Sequence, residues 1–277
     1  MMNHYFVRSL KLFIIFLIFY ISNETILFAK EELVDKTVYL TNLNNINISQ
    51  NTVKDLTSLK ELIKNKKPKA LYIEQWILVD PGNENLLKKL YKLTKKNDIK
   101  LFLVIGKNTW FGRRGTENSI EAYKLYGEYI DGIVLRTEPN KVNLWKNHDD
   151  EFRVQILNFM LDGYADTFRE AKKRNKKFIV EFPFWFSDFI GLSRTFSQEA
   201  CDYSDNIVFL IDDAEKLETL EKWNDITCPY SIDLTKRATS KNEKQIQEAY
   251  NKLKSKVTFY SNFSGFIIDS DSALLLQ

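Results

Sequence analysis

Residues 100–140 read KLFLVIGKNTWFGRRGTENSIEAYKLYGEYIDGIVLRTEPN. Two short apolar runs, Lys100 to Ile105 and Gly132 to Leu135, flank a segment of helical period over Ser119 to Tyr129. Strand-length runs rich in branched and aromatic residues, separated by one helix-length segment, spell strand, crossover helix, strand. Neither run alternates polar with apolar residues, so both faces of each strand are expected to be covered, as in a parallel sheet.

The same unit recurs along the chain. Strands are expected at Val38 to Leu40, Ala70 to Trp76, Lys177 to Phe182, Asn206 to Ile211, Tyr230 to Leu234 and Gly265 to Ile268. Helices are expected near Thr52 to Asn65, Asn85 to Lys96, Phe152 to Arg174, Ser197 to Tyr203, Ala214 to Asn224 and Lys241 to Ser255. Eight strand and helix repeats over roughly 240 residues match a closed parallel (β/α)8 barrel, the TIM-barrel architecture. An open doubly wound sheet is the alternative, yet no Gly-x-Gly-x-x-Gly turn follows any of these strands. No Pro- or Gly-rich linker divides the chain, so residues 30–277 are read as one α/β domain.

Residues 1–29 are set apart from that domain. Arg8 and Lys11 precede an unbroken apolar run, Leu12 to Ile21, which has the charged start and short apolar centre of a secretory signal peptide. That run is half of the about 20 residues a membrane-spanning helix needs. A cut after Ala29 is expected, although Leu27 stands where a small residue is preferred; an uncleaved anchor over residues 12–21 is the alternative. On either reading the barrel is exported and extracytoplasmic, whether secreted or tethered.

Charge and histidine content narrow the chemistry. The leader holds two of the 40 basic residues and one of the 37 acidic ones, so the domain is near neutral. Its charges are spread along the sequence, which argues against a nucleic-acid stripe or a polybasic membrane patch and leaves membrane contact to the N-terminal segment. Of two histidines, His4 lies in the leader and His148 in the polar stretch Lys146-Asn147-His148-Asp149-Asp150. Zinc sites built from several imidazoles and histidine-pair phosphodiesterases are thereby excluded. No cofactor or metal is expected, and catalysis must run on carboxylates, tyrosines, lysines or the backbone. Cys201 and Cys228 are the only cysteines, open between a disulfide and two small buried residues.

In such a barrel the active site is built at the C-terminal ends of the strands. Glu74, Glu138, Glu181, Asp212, Asp233 and Asp269 end strands two, four, five, six, seven and eight. Asp caps helices and turns, which offers an account of Asp212 with Asp213, Asp233 and Asp269. Glu is a poor cap, and a strand-terminal Glu between apolar neighbours needs a partner when buried. Glu74, Glu138 and Glu181 therefore carry the functional reading. Arg136, two residues before Glu138, is expected on the same face beside it.

The stretch Asp131-Gly132-Ile133-Val134-Leu135-Arg136-Thr137-Glu138 resembles the fourth-strand signature of chitinase-like hydrolases, in which Asp-Gly is followed at this spacing by the catalytic Glu. The resemblance implies an acid/base role for Glu138. It also shows a departure, since Val134 and Arg136 stand where chitinases have aspartates. Arg136 cannot orient a substrate acetamido group, so the implied chemistry is that of barrel glycosidases in general.

Trp76, Trp110, Trp145 and Trp185 fall just past strand ends, and only Trp223 lies in an expected helix. Indole faces stack on sugar rings, although large aromatics also anchor long loops. The expected function is an extracytoplasmic glycoside hydrolase acting on a polysaccharide or oligosaccharide. Glu138 and Glu181 form the first catalytic pair, with Asp233 as the rival partner. Glu74, Trp76, Trp110, Arg136, Asn140, Trp185 and Asp269 are expected to line the substrate. Two alternatives stand beside it: a glycan- or envelope-binding barrel without catalysis, and an enzyme holding Mg²⁺ or Ca²⁺ through carboxylates.

Overall fold

A computed structural model describes residues 37–40, 56–78, 84–190, 194–211, 225–235, 248, 250–253, 257 and 260–269. The expected signal peptide and the expected helix at 214–224 lie outside them, as does most of 241–255. Strands β1 (Thr37–Leu40), β2 (Ala70–Glu74), β3 (Lys100–Ile105), β4 (Gly132–Arg136), β5 (Lys177–Pro183), β6 (Asn206–Leu210), β7 (Tyr230–Asp233) and β8 (Phe263–Asp269) pair in parallel, each with the next. β8 closes on β1 through Thr37 opposite Ile267 and Tyr39 opposite Asp269, which completes the TIM barrel. Helices α1 (Thr57–Lys66), α2 (Glu84–Lys96), α3 (Arg113–Tyr126), α4 (Asn143–Lys146), α5 (Asp150–Lys173) and α6 (Phe196–Asp202) run outside it. Among the described residues no helix is long and apolar enough to cross a membrane.

Side chains alternate across each strand, so one row fills the barrel and the other meets the helices. Ala70, Tyr72, Phe102, Val104, Val134, Ile179, Val208 and Ile267 make the inner cluster, separate from the larger shell between strands and helices. This double cover explains why the strands read as continuous apolar runs.

The helices differ from expectation at one end. α3 begins at Arg113, six residues before the expected Ser119, because the buried face ahead of Tyr123 is made of small residues: Gly115, Thr116, Ser119 and Ala122. Small side chains let α3 approach α5, where Thr116 Oγ1 donates to the Gly163 carbonyl at 3.1 Å. Hydrophobic periodicity misses such a face. β2 also stops at Glu74 rather than Trp76, and Gln75–Leu78 turns as a 3-10 helix.

Two matching latches close the N-terminal end of the barrel. Before β4, the Asp131 N–H donates to the Leu101 carbonyl at 2.7 Å while Asp131 Oδ2 accepts from the Leu101 N–H at 2.9 Å. Before β6, Asp205 does the same with Phe178 at 2.8 and 3.0 Å. Each carboxylate faces two lysines, Lys95 and Lys100 for Asp131, Lys172 and Lys177 for Asp205. Cys201 of α6 is joined to Cys228, just before β7, by a disulfide with Cα atoms 5.2 Å apart.

Candidate functional site

The inward rows continue upward from the apolar cluster: Tyr72 leads to Glu74, Val134 to Arg136, Ile179 to Glu181. Three charged side chains thus arrive above a layer that contains none, where an unpaired charge is costly. They meet each other. Arg136 Nε donates to Glu181 Oε1 at 2.6 Å, and Arg136 Nη1 donates to Glu74 Oε1. The planar guanidinium has donors in several directions, so one Arg spans β2, β4 and β5. β3 leaves room at that level, since Gly106 stands two residues beyond Val104. A Cβ on Gly106 would lie 1.8 Å from the Arg136 carbonyl oxygen.

Glu138 is ion-paired with Lys141. It immediately precedes the 3-10 turn Pro139–Lys141 and is buried, with its Oε1 2.6 Å from Lys141 Nζ. The guanidinium of Arg136, expected beside Glu138, also reaches sideways to Glu74 and Glu181. In register Arg136 stands opposite Glu181, and the Thr137 N–H donates to the Glu181 carbonyl at 3.4 Å. Glu138 therefore leaves β4 directly beside the strand that carries Glu181.

Asp233 is fully buried, and its Oδ1 accepts the Thr235 N–H at 2.8 Å. That bond closes a turn after β7, so the capping account holds for this oxygen. Tyr72, absent from the expected set, lies in the barrel under these acids. Burial first, then the charges of Glu181 and Asp233, hold its phenol well above the ordinary tyrosine range. It stays a neutral hydroxyl, with the Asn206 side chain beside it. Asn206 Nδ2 in turn donates to Ser231 Oγ at 3.1 Å, on β7. The signal for Tyr72 was its place two residues before Glu74; that for Lys141 was its position three residues after Glu138.

The aromatics divide between packing and the rim. Trp145 is buried, stacked on Phe186 with centroids 5.3 Å apart and edge-on to Trp185 and Phe189. Trp185 is half-buried against the same cluster. Trp110 is half-buried in the loop after β3 with Lys107 Nζ 5.7 Å above its ring. Trp76 falls in the 3-10 turn after β2, and Asp269 ends β8. Asn140 sits in the turn after Glu138, its Oδ1 buried and without a hydrogen bond among the described residues. Asp212 lies outside the described residues. Among those residues no group of three or more His, Cys, Asp or Glu gathers as a metal would require.

The arrangement thus offers a fixed, ion-paired carboxylate at Glu181, a second carboxyl group on the adjacent strand at Glu138, and a neutral phenol below. No protein-family model matches the chain, and no curated protein matches it in sequence. Solved structures do match over most of its length. The chain is similar to the YdjI aldolase from Escherichia coli K12 (TM-score 0.50, 10% identity, 87% of this chain and 76% of that one). It is similar to a β-glucuronidase 2 from Bacteroides uniformis (TM-score 0.52, 11% identity, 85% of this chain, 30% of that one). The O-GlcNAc hydrolase of Thermobaculum terrenum matches with TM-score 0.51 and 9% identity, over 87% of this chain and 56% of that one. At these identities the likeness is one of fold, and the fold is that of TIM-barrel enzymes of several reaction classes.

Proposed function

We propose that the protein is an extracytoplasmic glycoside hydrolase acting on a polysaccharide or oligosaccharide. The observation that carries this reading is the buried Glu181, held by Arg136 at 2.6 Å on the strand next to the one that delivers Glu138. Glycosidic cleavage needs one carboxyl group to protonate the leaving oxygen and another to attack the anomeric carbon or activate water. Both are ion-paired, but Glu181 is locked to the buried Arg136 and suits the second role, while Glu138 is held by the exposed, flexible Lys141 and suits the first. Asp233 is the rival to Glu181, with one oxygen bound to a backbone N–H. The half-buried Trp110 and Trp185 supply surfaces of the kind that sugar rings stack upon. The disulfide between Cys201 and Cys228 fits an oxidising compartment and so an exported barrel.

The test is release of reducing ends from a panel of polysaccharides and aryl glycosides. The unaltered protein is expected to cleave at least one of them. Glu138→Gln is expected to lose roughly 10²–10⁴-fold in turnover, the usual contribution of a general acid, with nearly unchanged melting. Full turnover by Glu138→Gln would overturn the assignment.

A second reading, a saccharide-binding barrel without catalysis, is favoured by one observation: Arg136 engages two of the mouth's acids at once. Retention on oligosaccharide resins with no cleavage across the panel would select it.

A further inference from the structure

The end of the barrel opposite the candidate site carries a cleft of about 540 Å³ between the C-terminal ends of α1 and α2. Lys60, Lys64, Lys67 and Lys96 ring it, over a floor that includes Ile63 and Ile99. All four lysines are exposed, and among the described residues none has an ion-pair partner. The contrast is with Lys95, Lys172 and Lys177 on the same end, each bound to a carboxylate. Lys60 and Lys64 are one turn apart on α1, a like-charge spacing that weakens a helix. Helix-dipole complementation accounts for Lys64 and Lys96 in last turns. It does not account for Lys60, or for Lys67, which stands beyond α1 in a left-handed conformation at φ 45°. Lys60, Lys64 and Lys67 lie within one eight-residue stretch, and the turns into β2 and β3 bring Lys96 beside them.

Topology places the chain's entry into the barrel at this end. Thr37, the first residue of β1, is in register with Ala70, the first residue of β2, so the chain enters the barrel at the lysine end. On the uncleaved reading of the N-terminus, fifteen residues separate the apolar run Leu12 to Ile21 from Thr37, a tether of at most roughly 50 Å when extended. We propose that the cleft is a docking site for the phosphate headgroups of an anionic lipid surface, which orients the barrel with its carboxylate mouth away from the membrane. Each lysine near such a surface strengthens partition roughly fivefold. The apolar floor receives the glycerol and upper acyl atoms between the four ammonium groups.

The experiment uses the full chain with phosphatidylcholine vesicles, with or without phosphatidylglycerol, and a water-soluble amine-acylating reagent. Anionic vesicles are expected to slow acylation of Lys60, Lys64, Lys67 and Lys96 about tenfold relative to neutral ones, while Lys107 and Lys141 at the other end react equally on both. The protection is expected to vanish at 1 M salt, where screening acts over about 3 Å. Partition of the unaltered chain is expected to rise about 600-fold on adding phosphatidylglycerol. A variant with all four lysines changed to Gln, folded by circular dichroism, is expected to lose that preference. Equal labelling on both vesicle types, or an unchanged preference in the variant, overturns the proposal. Equal protection by soluble glycerol phosphate also overturns it, since the cleft would then be a pocket for a free anion.

Discussion

Arg136 Nε and Glu181 Oε1 stand 2.6 Å apart with side chains 9% and 1% exposed, so solvent is all but excluded from the pair. Burying two charges costs desolvation, which their contact offsets only while both are present. Arg136 also binds Glu74, so its removal strips a cation from two carboxylates together. Arg136→Ala is expected to cost about 3–5 kcal/mol, a drop of roughly 6–20 °C in melting temperature for a domain of this size. Arg136→Ala combined with Glu181→Gln is expected to recover part of that loss. Thermal unfolding of the two variants checks it, and additive losses would show that the residues are not coupled.

Gly106 permits the close approach on which this network depends. Its φ of 140° is one that side chains rarely adopt, and a Cβ there would overlap the Arg136 carbonyl oxygen at 1.8 Å. Backbone cannot rotate away as a flexible side chain can. Gly106→Ala is therefore expected to destabilise by at least about 3 kcal/mol, in the tail that strain and overpacking produce. A midpoint in urea within error of the unaltered protein would show that β3 and β4 can separate without cost.

The strands were legible because their chemistry is local. Lys100–Ile105 was read with the observed boundaries, and β4 and β5 each differ by a single residue at one end. Glu74 ends β2 as the count expects, whereas Glu138 stands two residues past β4 and Glu181 two residues before the end of β5. Partners did not follow, because Arg136 meets Glu181 through a register between residues 45 apart, which no spacing in one strand reveals. The start of α3 was hidden for a related reason, since Gly115, Thr116 and Ser119 pack by smallness rather than by hydrophobicity. Trp145 shows the limit of composition: an indole after a strand reads the same whether it stacks on a sugar or, as here, on Phe186.

Cys201 and Cys228 close a loop with a sequence separation of 27. By the chain-entropy relation such a cross-link stabilises by about 3–4 kcal/mol. The double variant Cys201→Ser, Cys228→Ser is expected to melt roughly 6–16 °C lower, and reduction of the unaltered protein should reproduce the shift. Thermal scans with and without reductant measure it. A double variant that melts with the oxidised protein would show that α6 and the segment before β7 are held by packing alone.

Asp205 gives the fold a signed response to acid. Partial burial would raise its pKa, but hydrogen bonds from Lys172, Lys177 and the Phe178 N–H outweigh that and hold it below the ordinary value of 3.8. A carboxylate whose pKa is depressed by folding binds fewer protons in the folded state than in the unfolded one. Its stabilisation is thus present above the unfolded value and lost as pH falls through the folded one. Between neutrality and about pH 5 the latch should contribute fully; below about pH 4 its contribution should decline. Asp205→Asn is expected to be less stable at pH 7 and to show a shallower loss on acidification, so that the two unfolding curves converge toward low pH. Urea midpoints measured from pH 7 to pH 3 decide it. Parallel curves across that range would mean that the carboxylate's charge is not what ties β5 to β6.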